Sequence, residues 1–399
     1  MPVTPIKVLK FVAAFGWGGT ERQFVNLALG LDASRFAVHF GCLRRYGVLL
    51  QDIESFRVPV FNYDVVSVHG LRAIAAQLAL ARDIRRLGIH IVHTYGFYSN
   101  VFAIPAAKLA GATVIASIRD MGVYLSPRQR LVQRWICKLA DKVLVNAEAV
   151  KSWLVSDGYH PDRLHVIPNG VDVMRFAEAP RSGSLHSELG VPADAPLVAV
   201  IGRINRLKGL EDFLAASAIV SKRFPSARFV IMGESSFTTR GRAILLEHSY
   251  QQELSALAHD LGVSDRVIFS GYHADVEQVL PELAVSVLPS LSEGLSNSLL
   301  ESMAAGVAVV ATRVGGTAEV VDDGENGLLV PPGDTASLAD AISRVLSDRD
   351  LAERIGRAAR RRMIDRYSMQ RLVESTSEFY EAVIASRATA ATVASLRPI

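Results

Sequence analysis

At 399 residues the chain is too long for one average domain, and 50% hydrophobic with 21% charged residues is enough to fill two or three cores. Its two cysteines, Cys42 and Cys137, both lie in apolar segments, which argues against a disulfide framework and favours a reducing compartment. The net charge of +3 hides an asymmetry: residues 1–180 hold 21 Lys/Arg against 13 Asp/Glu and the remainder 22 against 27, so the halves are expected to meet different partners.

A predicted strand over 6–14 runs into Phe15-Gly-Trp-Gly-Gly-Thr-Glu21 and a helix over 22–31. A glycine-rich turn between strand and helix lets the backbone approach a phosphate. A dinucleotide fingerprint is the rival reading. However, Gly16 and Gly18 are followed by Glu21 where the third glycine belongs, and the strand over 36–43 ends in Arg44-Arg45 instead of an acidic ribose ligand. A sugar nucleotide is therefore favoured over a nicotinamide cofactor. Helices over 71–87, 126–140 and 147–156 and strands over 90–93, 113–118, 142–146 and 163–167 continue the alternation, which predicts a doubly wound parallel sheet. His93 and Arg119 fall at predicted carboxyl ends of strands, where open α/β sheets bind ligands, although either can equally be structural.

Residues 173–195, rich in Ala, Ser, Gly and Pro, read as a linker. A second series begins with a strand over 197–201. Its first turn, Gly202-Arg-Ile-Asn-Arg-Leu-Lys-Gly209, sets Arg203 and Lys208 past a strand end, where two cations can clamp a diphosphate. A strand over 267–269 leads into Ser270-Gly-Tyr272-His273. Residues 283–321 then read as strand, loop, helix, strand, loop. The first loop, Ser290-Leu-Ser-Glu-Gly-Leu-Ser-Asn-Ser298, opens a helix whose unpaired N–H groups suit a phosphate. Glu293 and Glu301 bracket it with seven residues between them, and carboxylates there can accept from sugar hydroxyls. The alternative is a capping box, Ser298-Leu-Leu-Glu301, with Glu293 a solvated loop residue. From 335 the chain reads as helical, with a last helix over 374–385.

The run Glu293-Gly-Leu-Ser-Asn-Ser-Leu-Leu-Glu-Ser-Met-Ala-Ala-Gly306, followed by Val-Val-Ala-Thr and Gly315-Gly316, closely resembles the E-x7-E segment of retaining glycosyltransferases of family 4, which have the GT-B fold. Gly-Gly-Thr-Glu at 18–21 and Gly-Arg-x4-Lys-Gly at 202–209 resemble the family's N-terminal glycine loop and diphosphate clamp. The resemblance covers about residues 6–385. It implies an α/β chain of two facing Rossmann-like domains with the active site between them. The first is an acceptor-side domain, 1–185, completed by a crossing helix near 368–388; the second is a nucleotide-sugar domain, 186–367, and a frayed tail, 389–399, follows.

The implied reaction moves a hexose from a nucleoside-diphosphate sugar, UDP- or GDP-linked, to an acceptor hydroxyl with anomeric configuration retained, in cell-surface polysaccharide or glycolipid synthesis. Gly18 and Gly19 would pack on the diphosphate. Gly202, Arg203, Lys208 and the helix start at Gly294, Leu295, Ser296 and Asn297 would hold it. Tyr272 lies in the turn that would meet the base, Glu301 would hold the ribose and Glu293 the transferred sugar. His93 and Arg119 are the expected catalytic residues of the first domain. Many members carry a cleft histidine where this chain has Ser117-Ile-Arg119-Asp120, and an arginine cannot serve as a base near neutral pH.

No cofactor beyond the substrate is expected. No metal is expected either, since Asp348-Arg-Asp350 lies in the helical end and no His or Cys cluster has ligand spacing. The acceptor is expected to be a saccharide or lipid-linked saccharide, anionic or membrane-held, and carried by the basic half. Nucleic acid is not expected, because the basic residues are not interleaved with aromatics. Without an apolar stretch of about 18–20 residues or a signal-peptide pattern, a cytoplasmic chain is expected, peripheral at most on the inner face of an anionic membrane. A sugar-nucleotide epimerase and a non-catalytic partner subunit of the same fold are the alternative readings.

Overall fold

The computed structural model describes residues 4–16, 18–176, 183–234 and 242–395. Short runs of aliphatic and β-branched residues form strands that pair in parallel throughout, as expected of sheets covered on both faces. One sheet has seven strands: β1 (Ile6–Val12), β2 (Phe36–Cys42), β3 (Val60–Asn62), β4 (Ile91–Tyr95), β5 (Thr113–Ser117), β6 (Lys142–Val145) and β7 (Leu164–Val166). Their spatial order is β3-β2-β1-β4-β5-β6-β7. The other has six: β8 (Leu197–Ile201), β9 (Arg228–Met232), β10 (Val267–Gly271), β11 (Val285–Leu288), β12 (Val309–Thr312) and β13 (Leu328–Val330), in the order β10-β9-β8-β11-β12-β13. Each sheet is wound outward from its middle and then back to the other side. The order therefore reverses between β1 and β4, and again between β8 and β11. Open α/β sheets bind ligands outside the carboxyl ends of the strands at such reversals.

The chain forms two compact units, Met1–Gly170 with Met369–Ile399, and Val171–Ser368. In the first, alternate residues of β1 face opposite layers, as the period of two requires. Leu9 and Phe11 pack under the helices Leu71–Leu87, Phe97–Ala110 and Pro127–Cys137. Val8 packs with Leu27 of helix Gly19–Gly30 and with Leu372, Phe379 and Tyr380 of the terminal helix Met369–Ser395. Helix Pro127–Cys137 starts where its sequence dictates. Ser126 Oγ accepts from Gln129 N, Gln129 Oε1 accepts from Ser126 N, and Pro127 fills the first position, which has no use for an N–H.

Two expectations change. Residues 183–195 are built into the second unit instead of linking two units. Helix Ser184–Glu188 buries Leu185, and the Glu282 carboxylate accepts from Leu185 N at 3.1 Å and pairs with His186 at 3.1 Å. Val171 and Phe176 also sit in that core, so a few apolar side chains outweigh the small-residue composition around them. The rest of the expected linker, 177–182, lies outside the described residues. The terminal helix is also longer than 374–385. It continues as helix to Ser395 through the segment read as frayed, and 396–399 lie outside the described residues. Among the described residues no helix is long and apolar enough to cross a membrane.

Candidate functional site

At the reversal of the second sheet, the turn after β8 and the loop after β11 are adjacent because those strands pair. The β8 turn leaves the sheet at Gly202 and passes exposed Arg203. It then tightens into a short 3₁₀ turn, Arg206–Lys208, in which Leu207 N donates to Asn205 Oδ1 at 3.0 Å. Leu291 N donates to Leu207 O at 2.8 Å, tying the two segments together. Gly209 has φ +60°, and a Cβ there would meet Pro289 O at 2.0 Å. Gly315 has φ +47°, and a Cβ there would lie 1.8 Å from Glu293 O, so both close approaches require glycine. Gly316 N completes the support by donating to Gly294 O at 2.7 Å.

This packing brings Lys208 Nζ to 2.5 Å from Glu293 Oε1, with side chains 15% and 14% exposed. Ser290 Oγ donates to the same oxygen at 2.8 Å. Arg203, exposed and five positions before Lys208 in the same turn, makes no ion pair among the described residues. Buried Leu295 and Ser296 lead into helix Asn297–Ala304, with Ser296 at the N-cap. The Ser296 side chain makes no cap bond and lies 3.0 Å from Ser298 Oγ. Ser298 is thus inside the helix, and the Ser298–Glu301 capping box does not form. Glu301 stands one turn further in. Tyr272 follows β10, the edge strand, and is 40% exposed. Two cations, a carboxylate and a helix start at one sheet edge can hold a diphosphate and accept from hydroxyl groups.

In the first unit, Gly18 caps helix Gly19–Gly30, and Glu21 folds its carboxylate back over it. Gln23 grips Gly170 at both ends, donating to its carbonyl at 2.7 Å and accepting from its N–H at 3.1 Å. Arg119 lies two residues past β5 and donates to Asn169 Oδ1. Burial lowers the Arg119 pKa, opposed by Tyr95 and Glu21. A pocket of about 60 Å³ opens here, lined by Thr20, Gly96, Ser117, Arg119, Asp120 and Gln133 among others.

His93 requires a correction. It is the third residue of β4, not the end of a strand, and it is fully buried. Nδ1 lies 2.6 Å from Tyr380 OH and Nε2 lies 2.8 Å from Ser117 Oγ. Both ring nitrogens are engaged within the core, so it touches no open site. Next to it Lys10 is also fully buried; Nζ donates to Phe24 O at 2.6 Å and sits 4.7 Å from the Phe24 ring centroid. Thr20, Ser117 and Gln133 carry no local sequence signal for this pocket. They come from separate segments with no shared spacing, and only the strand-end rule pointed to their neighbourhood.

The sequence matches the profile of glycosyl transferases group 1 over residues 183–362 and that of glycosyltransferase family 4 over residues 17–175. It is 32% identical over 347 residues to D-inositol 3-phosphate glycosyltransferase of Saccharomonospora viridis, covering 86% of this chain and 75% of that protein. It is 33% identical over 321 residues to alpha-maltose-1-phosphate synthase of Mycolicibacterium smegmatis, covering 74% and 79%. Among solved structures, Anabaena HepE in complex with UDP-glucose superposes with a TM-score of 0.82 at 22% identity, covering 94% of this chain and 99% of that one. The two parallel sheets and this likeness identify the fold as GT-B. The chain belongs to the group 1, family 4 type of glycosyltransferases.

Proposed function

We propose that the chain transfers a hexose from a nucleoside-diphosphate sugar, UDP- or GDP-linked, to a hydroxyl of a saccharide or lipid-linked acceptor, with retention and without a metal ion. The route would build cell-surface polysaccharide or glycolipid. The observation that carries this reading is the Lys208–Glu293 contact at the reversal of the second sheet. Lys208 and Arg203 would take up the charge growing on the leaving diphosphate, where preorganised cations lower a barrier most. Glu293 would exchange its ammonium partner for hydroxyls of the transferred sugar, and Glu301 would accept from the ribose. HepE binds UDP-glucose in the structure compared above, which supports a sugar-nucleotide donor. A relative acts on D-inositol 3-phosphate, and a pocket lined by Arg119 suits an acceptor that carries such a charge.

A thermal-shift panel of UDP-, GDP- and ADP-sugars tests the donor, since binding stabilises by RT ln(1 + [L]/Kd). A UDP- or GDP-sugar should raise the melting temperature and be consumed only when an acceptor is added. Conversion of the sugar nucleotide alone into an isomer would replace this reading with an epimerase.

A further inference from the structure

The turn that carries Lys208 is also tied to helix Arg242–Asp260, which follows β9. Arg206 opens the turn, and its guanidinium carbon lies 4.6 Å from the Tyr250 ring centroid. Arg206 donates to Glu253 Oε2 at 2.5 Å and lies 3.6 Å from Glu211 Oε1. Tyr250 and Glu253 are one helical turn apart, so a single face presents both the ring and the carboxylate. The Tyr250 phenol donates to Glu211 Oε2 at 2.7 Å, which closes a ring of side chains. Glu211 belongs to the first turn of helix Leu210–Arg223, the next element after Lys208. Tyr250 itself is buried with Leu210, Phe213 and Leu214 in the second unit's core, so the anchor is fixed.

A short 3₁₀ turn has poorer hydrogen bonds than an α-helix and holds its side chains weakly by itself. A cation lowers a barrier most when it is already in place and need not reorganise, so Lys208 depends on what steadies its turn. Arginine suits that task, because a planar guanidinium can stack on a phenol ring and meet carboxylates at its edge together, which an ammonium group cannot. Its carboxylate partners also set Arg206 apart from Arg203, which makes no ion pair among the described residues, and argue against its being a further phosphate ligand. We propose, resting on the donor clamp above, that Arg206 is a positioning residue: through Tyr250, Glu253 and Glu211 it fixes the turn that aims Lys208.

The test is a double-mutant cycle of Arg206→Gln with Lys208→Ala on kcat/KM for release of the nucleoside diphosphate. The probe is UDP-glucose, or the sugar nucleotide that stabilises the wild type more. Arg206→Gln alone should lower kcat/KM about fivefold, the scale of one exposed ion pair with a ring contact, and the loss should fall on kcat more than on KM. In the Lys208→Ala background the same change should cost less than about twofold, because the side chain it aims is gone. Arg206→Lys, which keeps the charge on Glu253 without the stacked plane, should fall between wild type and Arg206→Gln. Equal losses in both backgrounds would show that Arg206 acts on the donor directly and would overturn the positioning role. So would a loss that only follows a lowered melting temperature. If Lys208→Ala is impaired and Arg206→Gln is not, the positioning role alone fails. If Lys208→Ala turns over like wild type, the donor clamp fails and the positioning role with it.

Discussion

Lys208 Nζ and Glu293 Oε1 lie 2.5 Å apart although 85 positions separate them in the chain. The pairing of β8 with β11 joins them, and the Gly209 and Gly315 turns press their loops together. Each charge is the other's partner until a ligand with both phosphates and hydroxyls can satisfy the two at once.

The two carboxylates should therefore fail differently. Glu293→Gln removes the partner of Lys208, so affinity for the free nucleoside diphosphate should hold or rise while turnover of the sugar nucleotide falls. Glu301→Gln should weaken diphosphate binding. Because Ser298 is not the cap, Glu301→Gln should not show the loss of about 1 kcal/mol that removing a helix cap brings. Calorimetric titration of both variants, with initial rates, separates these outcomes. Equal loss of diphosphate affinity in both would contradict the assignment.

The buried cluster behind the first unit's pocket predicts a pH dependence of stability. Burial, with Lys10 and Arg119 nearby, holds His93 well below its ordinary value of 6.5. The folded chain keeps this ring neutral while the unfolded chain binds a proton, so stability falls as pH drops below about 6.5. His39 and His165, also lowered chiefly by burial, act in the same direction. In denaturant unfolding, His93→Gln should flatten the acid slope by at most about 1.4 kcal/mol per pH unit. An unchanged slope would mean that His93 titrates alike in both states.

Much of the second unit's candidate site was legible in the sequence because it is local. Gly202 to Gly209 and Glu293 to Glu301 are short runs, each set by one strand end and one helix start. The first unit's pocket was not, because Thr20, Gly96, Ser117 and Gln133 meet only through sheet order. His93 misled because a predicted strand over 90–93 put it at an end. The real strand runs to Tyr95, and a buried histidine is held by Tyr380, nearly three hundred residues away in sequence, which no local pattern reveals. Lys10 was invisible as a buried charge, since its segment reads simply as a strand.

The proposed role of Lys208, Arg203 and the helix start at the diphosphate predicts that activity persists in excess EDTA, with added Mg²⁺ changing the rate modestly through product release. Initial rates with and without chelator decide the point. Complete loss in EDTA that Mg²⁺ or Mn²⁺ restores would show that an ion does the work assigned to Lys208 and Arg203.

The most direct test of the donor clamp is kcat/KM of Lys208→Ala and Arg203→Ala with the sugar nucleotide that stabilises the wild type most. Removing one charge-stabilising donor costs about 2.7–4 kcal/mol, so each should fall at least about a hundredfold. Exposed Arg203 can be removed with the melting temperature near that of the wild type, whereas Lys208→Ala leaves the mostly buried Glu293 without its cation and should lower it, so turnover is compared below both melting points. Near-normal turnover in both folded variants would contradict the account.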